Sequence, residues 1–380
     1  MTGAAPELGV GVVGFGFMGK IHCYGYRSLP LLYDPPPART RLVAVCTAHE
    51  ETARRAAQQA GFEQATTDYR RVLDNPAVDI VHVCTPNASH RELCVAALEA
   101  GKHVYCDKPL ARTVAEAEAI VAAADRTAGS KHQMTFQYRF LPATLRAKQL
   151  IDEGFLGRLF SYRAAYLHAG YIDPTRPMSW RLDKAASGGG ALLDLGSHII
   201  DLMRHLCGDV ARVSARCQTF IAQRPTPDGG SAKVEVDDLT LMQVELADGA
   251  LGTIEASRLA TGTNDDLTFD IHGDQGALRF SLMDPNWLHA YDQREPSGDY
   301  GGSRGFKAIE AVQRYPKPAA LPGPKLSVGW VRSHIACLCH FLTCVVEDRP
   351  ARPSLHDGLA VQRIMAAAYA SSRAGHWVDL

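Results

Sequence analysis

Three side chains that can orient or accept a proton lie along one predicted helix, in the segment GGGALLDLGSHIIDLMRHL at residues 188–206. At about 100° per residue, Asp194, His198 and Asp201 fall within roughly 60° of one another on the helix surface. Since an imidazole has an unperturbed pKa of about 6.5, His198 can act as a general base for an alcohol near neutral pH. A solvated polar stripe on an amphipathic helix gives the same pattern. The stripe alone leaves both interpretations open.

A second feature is a glycine motif, which is typical of a binding site for a cofactor that could work together with such a base. The segment GVVGFGFMGKIH at residues 11–22 places Gly14, Gly16 and Gly19 in G-x-G-x-x-G spacing, after a predicted strand and at the start of a helix. In that context the glycines permit the turn, the approach of a pyrophosphate and close packing of helix on sheet, and the helix N-terminus adds partial positive charge. The motif therefore predicts a dinucleotide site, which also includes Phe15, Phe17 and Met18.

The adenosine end of that site is less specific. The second predicted strand ends at Thr47, where an NAD-binding fold usually has an acidic residue for the ribose 2′-hydroxyl. Thr47 can hydrogen-bond that hydroxyl, or its lack of charge can admit a 2′-phosphate. Arg54 and Arg55 follow on the next helix, where they can be too far along to assist. NAD is favoured, and NADP stays open.

Strand and helix alternate around the glycine motif. Strands are predicted at 8–16, 41–47, 78–86, 102–109 and 132–140, and helices at 18–29, 49–61, 89–101 and 113–129. This alternation predicts an α/β Rossmann domain with a doubly wound parallel sheet over residues 1–135.

The remaining residues, 136–380, have a different pattern. Helices are predicted at 142–153, 190–207, 331–347 and 356–374, a loop at 298–325, and strands at 158–168 and across 210–283. They predict an α+β domain for substrate binding and oligomerisation, with a large, mainly antiparallel open sheet. Its C-terminal helices can pack back on the first domain.

Composition narrows the class of protein. The 380 residues exceed what one core usually holds, and 40 basic against 41 acidic residues favour neither nucleic acid nor an anionic membrane as partner. No run of about 18 apolar residues is present, and the N-terminus lacks a secretory signal. Ten scattered cysteines indicate reduced thiols, so we expect a cytoplasmic protein.

Cys337, His340 and Cys344 can share a helix face, but without a second ligand pair we predict no metal site.

Four segments together resemble the Gfo/Idh/MocA oxidoreductases, the family of glucose–fructose oxidoreductase and inositol dehydrogenases. They are VGFGFMG at 13–19, CTPNASH at 84–90, EAGKHVYCDKPLA at 99–111 and GGGALLDLGSHIID at 188–201. Within the family, PMSWRLDKAASGGGALLDLGSHIID and EASRLATG are most similar to the levoglucosan dehydrogenase and glycoside 3-dehydrogenase branch. The resemblance implies an NAD(P)-dependent dehydrogenase, a homodimer or homotetramer, that oxidises a secondary hydroxyl of a sugar, glycoside or cyclitol. The 3-hydroxyl of a pyranoside is one candidate.

The resemblance also implies roles for single residues. Lys108 corresponds to the family lysine beside the nicotinamide and the reacting hydroxyl, while Asp194 and His198 match its Asp-x-x-x-His pair. Asp201 can simply anchor the helix. Further cofactor contacts are implied at Thr85, Pro86, Asn87, His90, Asp107, Gln137, Trp180 and Arg181. Substrate contacts are expected at Lys108, Asp194 and His198. Tyr166, His168 and Arg258 are candidate substrate contacts for which a structural role is the stronger interpretation, and Tyr138 and Arg139, at the domain junction, can have either role.

Two other functions on the same fold remain open. A glycoside-cleaving enzyme would oxidise, eliminate and reduce within one turnover on tightly held NAD, without net NADH. A non-catalytic regulator would only sense the dinucleotide. The combination of Lys108, Asp194 and His198 argues against the regulator, which would not need all three.

Overall fold

The computed structural model describes residues 5–127 and 129–380. They form two compact units. Unit 1 contains the chain up to Gln137 together with Tyr315–Gly323 and Gly329–Ala360, and unit 2 contains Tyr138–Arg314, Pro324–Val328 and Val361–Leu380.

Unit 1 is built on a six-stranded sheet in the order β3-β2-β1-β4-β5-β6. Its elements are β1 Glu7–Val13, α1 Phe17–Leu32, β2 Arg39–Cys46, α2 Glu50–Ala60, β3 Gln64–Thr66, α3 Arg70–Leu73, β4 Ile80–Val83, α4 His90–Glu99, β5 His103–Cys106, α5 Val114–Arg126 and β6 His132–Met134. Helix α9, Trp330–Val346, returns to this unit and packs on α1.

All neighbouring strands of this sheet run parallel. In the central pair, Val10–Val13 of β1 align with Ile80–Val83 of β4. Because helices cover both faces of the sheet, these residues are buried, and apart from Gly11 and His82 they are large apolar residues. The strand order reverses between β1 and β4, and ligands of such sheets bind at the carboxyl ends beside that point.

Unit 2 contains a nine-stranded sheet in the order β16-β15-β14-β13-β7-β12-β11-β8-β17. Its elements are α6 Pro142–Asp152, β7 Leu159–Leu167, α7 Lys184–Ser187, α8 Ser197–Cys207, β8 Val210–Gln218, β9 Gln223–Pro225, β10 Ser231–Lys233, β11 Leu239–Leu246, β12 Leu251–Ser257, β13 Asp266–Gly273, β14 Gly276–Ser281, β15 Trp287–Asp292, β16 Lys307–Glu310 and β17 Val378–Asp379. Helix α10, Leu355–Ala374, begins in unit 1 and ends in unit 2.

Alternation along the strands separates the two faces of this sheet. In β7, Tyr162, Ala164 and Tyr166 are buried, whereas Arg163 between them is exposed. Helices α6 and α8 contact the sheet on its buried side. Strands β7 and β12 are parallel and the other neighbours antiparallel, which confirms the predicted fold class.

Several element predictions were wrong in detail. The strand predicted at 132–140 ends at Met134 and is followed by a 3₁₀ turn at Gln137–Phe140. The loop predicted at 298–325 contains β16, which pairs with β15. The helix predicted at 190–207 is interrupted, since Leu192–Gly196 form a π-helical turn before α8. Local sequence patterns do not encode the distant hydrogen-bond partners that set these limits.

Among the helices that the structure describes, none has the length and apolar character needed to cross a bilayer.

Candidate active site

The glycine motif forms the turn between β1 and α1. Gly14 has a φ of +95°, a conformation that favours glycine, and its amide donates to the Cys46 carbonyl at 2.9 Å. A Cβ on Gly14 would lie 2.5 Å from the Cys84 carbonyl oxygen, and one on Gly19 would lie 2.4 Å from the Gly14 carbonyl oxygen. The close approach of strand and helix therefore requires glycine at both positions.

Gly16 has a different environment. A Cβ placed on Gly16 would meet no described heavy atom within 4 Å, so its backbone is open to an approaching group. Helix α1 starts at Phe17 with no acidic residue in its first turn and, among the described residues, no side-chain cap. Helix N-termini of this kind attract phosphate. The residues present fit the pyrophosphate of a dinucleotide.

Thr47 lies at the carboxyl end of β2. Its Oγ1 is 3.0 Å from the His49 carbonyl oxygen and 2.7 Å from Thr52 Oγ1. Arg54, on the exposed surface of α2, pairs with Glu50 at 2.5 Å. The Thr47 hydroxyl fits a ribose hydroxyl, and Arg55 is also exposed on α2.

His90 connects the loops that follow β4 and β5. Its ring is fully buried, with Nε2 3.0 Å from the Thr85 carbonyl oxygen and Nδ1 3.0 Å from the Pro109 carbonyl oxygen. Burial lowers the pKa of His90, so the neutral ring donates its single N–H to one of these carbonyls. His90 thereby positions Thr85 and the segment carrying Lys108.

The carboxylate of Asp107 is held inside unit 1. Its Oδ1 lies 3.0 Å from His22 Nε2 and accepts from Thr135 Oγ1 at 2.8 Å. Burial by itself raises the pKa of Asp107, but the His22 imidazole, His82 and the Thr135 hydroxyl lower it below its ordinary value. These contacts fix the backbone at Asp107, directly before the half-buried Lys108.

Gln137 follows β6 and begins the 3₁₀ turn. It is buried, and its Oε1 has no hydrogen-bond partner within the described residues. A carboxamide donor on a bound cofactor would satisfy this acceptor. Gly14, Thr85, Lys108 and Gln137 thus follow β1, β4, β5 and β6 at the carboxyl edge of one sheet, with Thr47 beyond them after β2.

The Cys337, His340 and Cys344 group lies on α9 and serves packing. His340 Nδ1 contacts Gln133 Oε1 at 2.8 Å, and Gln133 Nε2 donates to the Cys337 carbonyl at 2.8 Å. Burial lowers the pKa of His340 to about 4. These bonds tie α9 to β6.

In unit 2, contacts with Asp237 require glycine at position 190, in the glycine run before α8. Its carboxylate accepts from the amides of Gly190 and Leu192, each at 2.8 Å. A Cβ on Gly190 would lie 1.8 Å from the Asp237 carbonyl oxygen, so only glycine permits this approach. The Tyr369 hydroxyl donates to the same carboxylate at 2.5 Å. Asp237 therefore sets the start of the segment that carries Asp194 and His198.

His198 lies on the first turn of α8 and is only 7% exposed. Two aromatic rings flank it, with ring centroids at 5.1 Å for Tyr138 and 5.8 Å for Tyr166. The two tyrosine hydroxyl oxygens are 2.7 Å apart. The imidazole is thus held in a defined orientation by flat, buried neighbours.

A hydrogen-bond chain continues from these tyrosines. The Tyr166 hydroxyl donates to Asp265 Oδ1 at 2.6 Å, and His168 Nε2 lies 2.7 Å from the same oxygen. Burial by itself raises the pKa of Asp265, but the bonds from His168 and Tyr166 lower it below its usual value. Because Asp265 and His168 are each about one-third exposed, the chain joins the buried His198 surroundings to the surface.

Asp194 and Asp201 do not share the environment predicted for a common stripe. Asp194, in the π-helical turn, accepts from Arg258 Nη2 at 3.0 Å. Asp201 accepts from Arg139 through Nε at 2.7 Å and Nη2 at 2.5 Å, and both side chains are buried. The second pair anchors α8 to the turn at Gln137–Phe140.

Trp180 and Arg181 are half-buried neighbours, with the Arg181 guanidinium 4.5 Å from the Trp180 ring centroid. Arg258 Nη1 donates to the Arg181 carbonyl at 3.3 Å, which joins this pair to the Asp194 surroundings. Unit 2 therefore brings together the predicted residues Tyr138, Tyr166, His168 and His198 in one group, and Arg181, Asp194 and Arg258 in another.

Two residues of these groups were not predicted. Asp237 and Asp265 bind partners 45 to 132 residues away along the chain, and nothing in their local sequence indicates these contacts. The predicted substrate residues Arg139 and Arg258 are both paired with carboxylates, those of Asp201 and Asp194.

Comparisons with known proteins match both parts of the chain. Residues 8–134 match the model of an oxidoreductase family with an NAD-binding Rossmann fold, and residues 144–279 match the GFO/IDH/MocA C-terminal domain. Levoglucosan dehydrogenase of Pseudarthrobacter phenanthrenivorans is 36% identical over 98% of each chain.

Solved structures of two oxidoreductases are also similar to this chain over nearly its whole length. A levoglucosan dehydrogenase in complex with NADH and levoglucosan matches with a TM-score of 0.94 and 37% identity, covering 98% of this chain and 99% of that one. An oxidoreductase domain protein from Kribbella flavida matches with a TM-score of 0.94 and 40% identity, over the same shares.

Proposed function

Because the chain belongs to the Gfo/Idh/MocA family of oxidoreductases, we propose that it is an NAD-dependent dehydrogenase of a secondary hydroxyl on a sugar, glycoside or cyclitol. The observation that carries the proposal is the buried His198 imidazole, oriented by Tyr138 and Tyr166. The similarity to levoglucosan dehydrogenase along nearly the whole chain makes levoglucosan the first substrate to test, with the 3-hydroxyl of the pyranose ring as the reacting group.

The proposed chemistry divides between a proton and a hydride. NAD, when bound, supplies the hydride acceptor. His198 accepts the proton of the reacting hydroxyl, which is too weak an acid to lose it unaided. Asp194, held by Arg258, orients the substrate or the imidazole and stabilises the imidazolium that forms.

Lys108 has a complementary role in this proposal. Its ammonium group donates a hydrogen bond to the reacting oxygen and favours the negative charge that develops there. Support comes from the Asp107-Lys108-Pro109 sequence, which resembles the family motif, and from the contacts of His90 and Asp107 that hold this segment.

The proposed cofactor is NAD, with NADP disfavoured. The open backbone at Gly16 accommodates the pyrophosphate, and Thr47 takes the 2′-hydroxyl, while of the two exposed arginines of α2 Arg54 is paired with Glu50. The buried Gln137 acceptor suits the nicotinamide carboxamide. Trp180 and Arg181 remain proposed contacts on the grounds of family resemblance.

We also propose a homodimer or homotetramer, formed through the exposed face of the nine-stranded sheet. On that face Arg163, Leu241 and Gln243 alternate with buried residues. The family resemblance supports this proposal, because single exposed leucines also occur on monomer surfaces. The domain limits 1–135 and 136–380 likewise remain a proposal.

The test follows the absorbance of reduced nicotinamide with levoglucosan, simple pyranosides and myo-inositol, with NAD and NADP supplied separately. We expect NAD reduction with at least one carbohydrate and less with NADP. Release of an aglycone without net NADH would instead support the glycoside-cleaving alternative. NADH binding without any turnover on the complete panel would support the regulator.

A further inference from the structure

Four buried side chains inside unit 1 have the types and spacing of a transition-metal site. They are His22 on α1, His82 in β4, Cys84 after β4 and Asp107 after β5. Each offers one ligand atom, and the four atoms lie within 4.8 Å of one another. Three of the four residues, His22, His82 and Asp107, are more than nine-tenths buried.

A second observation points to a missing ligand in this group. His82 is 0% exposed, and neither of its ring nitrogens has a hydrogen-bond partner within the described residues. Burying an imidazole without a partner is costly, and native structures usually satisfy such a group with an ion or a water. The His22 ring lies 4.1 Å from the His82 ring, centroid to centroid, and His22 Nε2 is 3.0 Å from Asp107 Oδ1.

We propose that His22, His82, Cys84 and Asp107 bind one Zn²⁺ ion. Two imidazole nitrogens, one thiolate and one carboxylate are all ligands that zinc uses in tetrahedral sites. Zinc-to-ligand distances of about 2.0–2.3 Å place tetrahedral ligand atoms roughly 3.3–3.8 Å apart. Small side-chain rotations would bring the four ligand atoms to these distances. On binding, a Zn–S bond replaces the S–H bond of Cys84, and the proton leaves to solvent.

Charge balance favours a divalent ion here. The thiolate of Cys84 and the carboxylate of Asp107 together carry two negative charges, which neutralise Zn²⁺ in a buried environment. Four protein ligands leave no open position, so the ion is structural. It joins α1 to the ends of β4 and β5, directly before Thr85 and Lys108. The proposal is independent of which substrate the enzyme takes.

The sequence predicted no metal site because these ligands come from three distant segments. Within unit 1, β1 pairs with β4 and β4 with β5, and α1 follows β1 directly, so the parallel sheet brings the segments together. His22 is separated from Asp107 by 85 positions along the chain.

The test measures metal directly. The full-length protein is stripped with a chelator, then titrated with Zn²⁺ or Co²⁺, and metal content is determined by mass spectrometry. We expect one ion per chain, and for Co²⁺ the visible d–d bands of a tetrahedral complex with a thiolate-to-cobalt charge-transfer band.

Two cysteine variants locate the site. Cys84→Ser should lose the charge-transfer band and most of the affinity, whereas Cys46→Ser, at the buried end of β2 in the same sheet, should keep both. Chelation should lower the Tm of the wild type and leave that of Cys84→Ser unchanged. A folded wild type that takes up no stoichiometric ion overturns the proposal, as does a band that survives in Cys84→Ser. These readouts do not depend on turnover.

Discussion

Arg258 Nη2 donates to Asp194 Oδ2 at 3.0 Å, with the guanidinium 1% exposed and the carboxylate one-quarter exposed. The buried partner is thus fixed by its surroundings, which include the Tyr171 ring at 4.9 Å, while the carboxylate keeps an open side. A charge-assisted bond of this kind orients a carboxylate strongly. Asp194 is therefore presented in one orientation, four residues before His198.

Replacing Arg258 should impair catalysis more than cofactor binding. Arg258→Met removes the buried partner of Asp194, and it should lower the free energy of unfolding by less than the about 3–5 kcal/mol of a fully buried pair, because Asp194 is one-quarter exposed. We expect kcat to fall while the Kd for NADH stays within about twofold, a change of ~0.4 kcal/mol. Arg258→Lys keeps the positive charge but lacks the planar guanidinium with its several donors, so its kcat should lie between those of the wild type and Arg258→Met. A kcat equal to wild type in Arg258→Met would contradict a role in orienting Asp194.

His198→Ala should remove the general base. We expect kcat to fall by roughly 10²–10⁴-fold because a positioned proton acceptor contributes about that much. NADH fluorescence titration should give an unchanged Kd. The matched control is His205→Ala on the same helix, which should keep its activity. Lys108→Ala should likewise lose turnover and retain NADH binding. Wild-type turnover in His198→Ala would exclude it as the base.

Variants of the Arg139–Asp201 pair test whether Arg139 contacts the substrate or anchors helix α8. Both side chains are buried, at 7% and 1% exposure, and the pair is bidentate. Asp201→Asn should lower the free energy of unfolding by roughly 3–5 kcal/mol, whereas the double variant Arg139→Met/Asp201→Leu should lose less than the two single changes summed. Denaturant unfolding measures both. A large rise in KM for the sugar at unchanged stability would instead place Arg139 at the substrate.

The features that the sequence predicted are the local ones. The glycine motif, the alternation of helices with β1, β2, β4, β5 and β6, and the helix bearing His198 each depend on residues within one or two elements, and the fold class and family were confirmed. The short edge strand β3 was not predicted. Asp237 and Asp265 escaped prediction because their carboxylates bind partners far along the chain. The π-helical turn at Leu192–Gly196 escaped for the same reason, since Asp237 fixes its start. Regular helix geometry then misassigned Asp194 and Asp201 to one stripe.

Thr47 should control the choice between NAD and NADP. Thr47→Asp adds a negative charge at the end of β2, where it would repel a 2′-phosphate and accept from a 2′-hydroxyl. We expect the ratio of kcat/KM for NAD over NADP to rise by about tenfold, or ~1.4 kcal/mol. Arg54→Ala should leave the ratio unchanged, because Glu50 already pairs with that guanidinium. A strong loss of NADP activity in Arg54→Ala would show that Arg54 binds the 2′-phosphate.

Gly190→Ala tests whether Asp237 sets the geometry of the catalytic helix. The new Cβ would lie 1.8 Å from the Asp237 carbonyl oxygen, and backbone atoms cannot rotate away as a side chain does. Relief of the clash must shift the start of the π-helical turn or the strand end at Asp237, at a cost of about 1–3 kcal/mol typical of overpacking. Thermal unfolding should show a lower Tm, and kcat should fall because Asp194 follows four residues later. Gly305→Ala, where a Cβ would meet no described atom within 4 Å, should leave both Tm and kcat unchanged. If Gly190→Ala matched Gly305→Ala in both measurements, the contact with Asp237 would have no part in positioning the helix.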